Sequence, residues 1–205
     1  MAEPIDFYFD FTSPYGYIAA HQIDQIGDRH GRAVRWHPFL LGAVFKLTNM
    51  QPPITDPMKG PYALRDFARS ARLAGLPFRM PAAFPFHPVA AARGFYWADA
   101  VDPERAKRLA LAIYARLFAQ GPEIHDAGPT TPEMVADLAA DVGFDRDACL
   151  AGIGADDTKA RLRAAGEQVV ARGVFGSPFF LIDGEPFFGA DRLGQVDRWL
   201  ETGGW

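Results

Sequence analysis

Cysteine is nearly absent from this chain. Cys149 is the one thiol in 205 residues, so no internal disulfide can form and a Cys-x-x-Cys redox pair is excluded. Alone on a helical stretch, it reads as a small buried apolar residue, and the lack of disulfides fits a reducing, cytoplasmic setting. Basic charge is not in surplus either: 21 Lys and Arg against 25 Asp and Glu leave a net charge of -4, which argues against nucleic acid as a partner. No apolar run approaches the ~18 residues that a membrane-spanning helix needs. The opening MAEPIDFYF lacks a basic segment followed by a long apolar run, so no signal peptide is expected. Five histidines are present (His21, His30, His37, His87 and His125), but none forms a spaced metal pair, so no metal site is expected.

What is present is ordinary for a globular protein. Hydrophobic residues make up 49% and charged residues 22%, in a length that suits one domain, or one domain with a large insertion. Such a chain buries roughly 70% of the surface its unfolded form exposes and needs no covalent staples. Residues 5–10 (IDFYFD) alternate as a strand does. Residues 14–31 follow helical spacing through Tyr15, Ile18, Ala19, Ile23 and Ile26, and residues 33–37 (AVRWH) read as a second strand ended by Pro38. Strand, helix, strand make a βαβ unit. An irregular stretch is expected over 39–61, and loops of that length are uncommon unless functional.

Helices are expected over 62–75, 87–101, 103–120, 131–142, 146–151 and 156–172. The clearest is 103–120, where Ala106, Leu109, Ala110, Ile113 and Leu117 form one stripe. Residues 179–182 (FFLI) are a strand, Asp183-Gly184 a hairpin turn, and 185–188 the returning strand, with Pro186 marking an edge. A last helix opens at Asp191. The order is β-α-β, a helical block, then α-β-β-α. This is an α/β thioredoxin-like sheet with a large all-helical insertion, residues 1–60 and 155–205 forming the sheet domain and 61–154 the insertion.

Chemistry concentrates at the first strand–helix join, FDFTSPYGY over 9–17. Thr12 or Ser13 can cap the helix and Pro14 suits its first position. Dithiol proteins of the thioredoxin type carry Cys-x-x-Cys at such a join; here it reads Ser13-Pro14-Tyr15-Gly16. A helix cap is the plain reading of Ser13. Gly152-Ile153-Gly154 follows no expected strand and lacks a third glycine, so it is no dinucleotide loop. Neither Ser13 nor Ser177 lies in Gly-x-Ser-x-Gly, against a serine hydrolase. The aromatics Phe84, Phe86, Phe95, Tyr96 and Trp97 are mostly core, with part of the cluster free to line an apolar substrate pocket.

Four stretches together carry a resemblance over nearly the whole chain: FYFDFTSPYGY, PFLLGAVFK, VFGSPFFLIDGEPFFGADRL and the helical insertion. The chain resembles the kappa-class glutathione transferases and the 2-hydroxychromene-2-carboxylate isomerases. The resemblance implies that the missing sulfur arrives with bound glutathione, whose thiol the helix N-terminus and the Ser13 hydroxyl ionise. It implies that Pro178 is cis and that Ser177 offers its backbone to the cysteinyl unit. It implies that Asp191, with neighbouring backbone at Ala190, takes the γ-glutamyl end, although Ala190 stands where a serine is often found. Asp191 can equally cap the last helix, and Arg192 is open to a substrate carboxylate or to solvent.

The loop matches the family less closely. Asn49 stands one place before the usual asparagine, a position held here by Met50. Lys46 and Lys59 flank the loop and are candidates for the glycyl carboxylate, or simply solvated. The implied function is a glutathione-dependent isomerase of a conjugated aromatic keto acid, working as a homodimer on a small-molecule substrate. The rivals are a kappa-type transferase or peroxidase that consumes glutathione, and a non-catalytic thioredoxin-like binding module.

Overall fold

The computed structural model describes residues 3–120 and 130–205; His125 lies outside them. Four strands form one mixed sheet in the order β2-β1-β3-β4. Strand β1 (Ile5–Phe9) runs parallel to β2 (Val34–Pro38) and antiparallel to β3 (Phe179–Ile182), which pairs antiparallel with β4 (Glu185–Phe188). Pro186 lies on the outer strand, where its missing N–H interrupts no ladder between sheet neighbours.

The pleat divides the sheet residues between two apolar faces. On one, Phe7, Phe9, Trp36, Phe180 and Ile182 are buried, and the Phe7 ring stacks on Phe9 and Phe180. On the other, Tyr8 and Phe179 join Phe39, Val44, Val169 and Val174. The first cluster runs without a break into the helices of the central block: Phe9 meets Phe95 and Tyr114, and Tyr17 meets Phe118.

The helical block holds α4 (Lys59–Leu73), α5 (Val89–Val101), α6 (Pro103–Phe118), α7 (Pro132–Asp141) and α8 (Arg146–Gly154). Its starts follow the sequence closely. Asp102, Thr131 and Asp145 each accept a hydrogen bond from the backbone N–H three residues on, and proline fills the first position of α6 and α7. The stripe of α6 is fully buried at Ala106, Leu109, Ala110 and Ile113. Helix α9 (Asp156–Ala171) returns the chain to the sheet, and α10 (Leu193–Thr202) closes it.

Two expectations are corrected. The helix read over 14–31 is two helices, α1 (Pro14–Ala20) and α2 (Ile23–Arg29). At the break, Gln22 Nε2 donates to the Ile18 carbonyl and His21 Nδ1 lies 2.9 Å from the Tyr17 carbonyl. These side chains satisfy acceptors that would otherwise bond the next turn. The irregular stretch read over 39–61 contains α3 (Leu41–Thr48), a 3-10 turn (Pro53–Thr55) and the start of α4. Val44 anchors α3 in the second apolar cluster, and Asn49 ends it in the left-handed conformation at φ 54°.

Candidate active site

The C-terminal end of β1 delivers Asp10 and Ser13 to the same point that the segment before β3 delivers Ser177 and Pro178. The Ser177–Pro178 peptide is cis. Ser13 is the N-cap of α1: its Oγ accepts from Gly16 N–H at 3.0 Å. The same hydroxyl donates to the Ser177 carbonyl at 2.8 Å. Both serines are 7% exposed. The cap expected at Ser13 is therefore present, but its proton points across the join to a residue 164 positions away in sequence.

Asp10 ties the two segments a second time. Its N–H donates to Ser177 Oγ at 2.9 Å, and its carbonyl accepts from the Tyr114 hydroxyl at 2.9 Å. Its carboxylate accepts from Thr12 N–H, the Thr12 hydroxyl and, at 2.7 Å, Leu41 N–H. Burial pushes the Asp10 carboxyl above the usual carboxylate range, outweighing these donors. Through Leu41 the carboxylate also fixes the start of α3.

A second polar group lies two residues beyond Ser13. The Tyr15 hydroxyl donates to the Asp66 carboxylate on α4. Burial first, and then the negative charge of Asp66 with a smaller share from Asp191, raises the Tyr15 hydroxyl. Asp66 is held below its ordinary value, chiefly by the Tyr15 hydrogen bond and also by Arg69. Asp66 lies on α4 and Asp191 in the turn before α10, and both elements pack on α1, which carries Tyr15.

Asp191 sits in a 3-10 turn (Ala190–Arg192) ahead of α10. It does not cap that helix, which begins at Leu193 without a side-chain cap bond; its carboxylate pairs with Arg192 at 3.1 Å. Gly189, at φ 109°, admits the chain there, since an added Cβ would lie 2.4 Å from the Asp191 carboxylate. The helix begins two residues later than the acidic residue suggested, after a 3-10 turn whose Ala190 packs against the core.

Lys46, Asn49 and Lys59 lie apart from this network. Lys46 is in the last turn of α3, Asn49 ends it and Lys59 opens α4; all three are exposed. Of the aromatic cluster, Phe95 and Tyr96 are buried, and the Tyr96 hydroxyl donates to the Pro38 carbonyl at 2.8 Å. Four residues of the network were not singled out in the sequence: Asp10, Tyr15, Asp66 and Tyr114. A charged residue closing an apolar strand was a readable signal for Asp10. Tyr114 carries none, because it continues the apolar face of α6. A surface cleft of about 390 Å³, lined by Arg32, Asp183, Glu185 and Trp199, lies at the other end of β3.

Comparison with known proteins agrees with this geometry. Residues 4–201 match the model of the DSBA-like thioredoxin domain. The chain is 28% identical over 202 residues to a 2-hydroxychromene-2-carboxylate isomerase of Sphingobium xenophagum, covering 98% of this chain and 99% of that protein. It is 27% identical over 209 residues to glutathione S-transferase kappa 2 of Caenorhabditis elegans, covering 96% and 91%. A solved structure of 2-hydroxychromene-2-carboxylate isomerase aligns with a TM-score of 0.80 at 25% identity, over 96% of this chain and 94% of that one. With the mixed sheet, the helical block and the cis-proline join in place, the chain belongs to the DSBA-like thioredoxin domain family and is similar within it to these isomerases and kappa-class transferases.

Proposed function

We propose that this protein is a cytoplasmic, homodimeric, glutathione-dependent isomerase of the 2-hydroxychromene-2-carboxylate type, acting on a conjugated aromatic keto acid. One observation carries the reading. At the position where a dithiol protein holds its reactive sulfur, a serine hydroxyl is held by hydrogen bonds to a helix N–H and to the carbonyl before a cis-proline.

The residues present fit the tripeptide. The carboxylates of Asp66 and Asp191, on two elements that pack on α1, suit an ammonium group. The Ser177 carbonyl suits an amide N–H, and the turn at Ala190 offers backbone N–H groups only. Lys46, Asn49 and Lys59 are free on the surface of α3 and α4 for a carboxylate. Bound glutathione supplies a thiol that, once ionised, adds reversibly to a conjugated double bond and so permits rotation about it.

The chain's own part is to favour the ionised form. Ser13 turns its O–H from the Ser177 carbonyl toward the sulfur, while Gly16 N–H stays on Ser13 Oγ and polarises it. The released carbonyl then accepts the N–H of the peptide, so no buried acceptor is left orphaned. The near-complete burial of Ser13 and Ser177 strengthens each of these bonds by excluding water.

Titration calorimetry with glutathione, followed by an assay of the isomerisation with total thiol monitored, tests the reading. Binding with turnover and no net loss of thiol is the expected result. Absence of binding would overturn it. The similarity to a kappa-class transferase favours one second reading, in which a stable thioether or oxidised glutathione accumulates in the same assay.

A further inference from the structure

Gly16 has a reason to be glycine that the capping pattern does not explain. Its backbone is helical, so the constraint is space. An added Cβ would lie 2.6 Å from Tyr114 Oη, 3.0 Å from Ser177 Oγ and 3.2 Å from Ser13 Cβ. The first distance is shorter than real carbon contacts allow, and Tyr114 cannot readily yield. It is fully buried, with its ring against Phe9, Phe11, Tyr17 and Phe118. The phenol oxygen of α6 therefore stands in the volume that a side chain at position 16 would occupy.

That oxygen is also the end of a continuous chain of hydrogen bonds. The Tyr114 hydroxyl donates to the Asp10 carbonyl, Asp10 N–H donates to Ser177 Oγ, and the Ser177 carbonyl accepts from Ser13. We propose that Tyr114 is the positioning residue for the Ser13–Ser177 pair, its hydroxyl taking the place of a side chain at position 16 and bracing the Asp10 peptide from the helical block. The catalytic part of this proposal rests on the glutathione reading above; the positional part does not. Without that brace the Asp10 carbonyl keeps the bond from Ser13 N–H at 2.9 Å but loses its tie to the helical block, so Ser177 and Ser13 drift, and small misplacement of reacting groups costs rate more than binding.

The test uses four full-length proteins: wild type, Tyr114→Phe, Gly16→Ser and the double variant. Tyr114→Phe keeps the ring packed and removes only the oxygen. Its turnover should fall about tenfold with KM for glutathione within about twofold, and the pKa of the bound thiol should rise. Gly16→Ser alone should crowd Tyr114, with lowered melting temperature and turnover. The double variant should recover most of both losses, because the new hydroxyl enters the vacated volume.

Unchanged turnover and thiol pKa in Tyr114→Phe would overturn the proposal, as would a double variant no better than the sum of the single effects. A second probe needs no glutathione: the thiol introduced by Ser13→Cys is alkylated across pH with and without Tyr114→Phe. A raised thiol pKa in the combined variant supports the brace, and an identical profile overturns it. Failure of wild type to bind glutathione would sink the preceding reading, yet this alkylation profile would still decide the role of Tyr114.

Discussion

A single hydroxyl at position 13 joins two segments of the site. Ser13 satisfies the Gly16 N–H and the Ser177 carbonyl together, so its loss is felt in stability as well as in chemistry. Ser13→Ala should cost about 1–2 kcal/mol, the worth of a cap plus a buried bond, and should raise the pKa of bound glutathione and cut turnover. Chemical denaturation and thiolate absorbance measure the two effects separately.

Charge at the residue scale acts with both signs. Burial raises Asp6, but His37 and then Arg172 outweigh it and hold the carboxyl low. Its folded pKa is below its unfolded value of about 3.8, so its stabilisation is present above that value and lost as pH falls through the folded pKa. Asp10 is raised; its contribution is complete below the unfolded value and lost as pH rises through the folded pKa. Followed from pH 7 downward, unfolding free energy should rise as Asp10 takes up its proton and then fall below about 3.8 as the Asp6 contribution is lost. Asp6→Asn should be less stable at neutral pH and show a flatter acid limb.

Among the elements, the helices differ in how closely they are packed, and glycines report it. On α8, a Cβ at Gly152 would lie 2.0 Å from the Trp97 ring of α5. On α9, a Cβ at Gly166 meets nothing within 4 Å. Gly152→Ala should therefore destabilise by about 1–3 kcal/mol through forced displacement of a packed indole, whereas Gly166→Ala should stabilise by about 0.5–1 kcal/mol through helix propensity alone. Melting temperatures of the two variants check the opposite signs. Helix α9 is also pinned at its end: Arg172 reaches the Asp6 carboxylate at 2.7 Å and the Tyr8 hydroxyl at 2.9 Å. This anchors the chain four residues before Gly176 and the cis-proline join.

At the scale of the whole molecule, the proposed ligand gathers α1, α4 and the turn before α10 around one point. Binding to the folded state alone should raise stability by about 2.7 kcal/mol at a glutathione concentration 100 times Kd. Asp191→Ala should diminish that shift while moving the ligand-free melting temperature little, since Asp191 caps no helix and is largely exposed. Thermal scans with and without glutathione separate the two quantities. Among the described residues no helix is long and apolar enough to cross a membrane.

Much of the architecture was legible along the chain, because strands, caps and the α6 stripe are local or periodic signals. FFLI followed by Asp-Gly became β3 and its turn, and the helices expected from 103, 131 and 146 begin at Pro103, Pro132 and Arg146. Breaks were less legible. The end of α1 depends on where the His21 and Gln22 side chains turn, and α3 hides in a segment rich in loop-forming residues but is held by Val44 in a distant cluster. Ser13 stood out as the cap of a strand–helix join, whereas Ser177 and Asp191 were singled out through the family resemblance. Asp10, Asp66 and Tyr114 acquire meaning only from partners 31 to 167 residues away. Sequence alone therefore determined most of the elements and the absence of a sulfur pair; which hydroxyl receives which proton was decided by tertiary packing, because hydrogen bonds between distant segments have no periodicity to read.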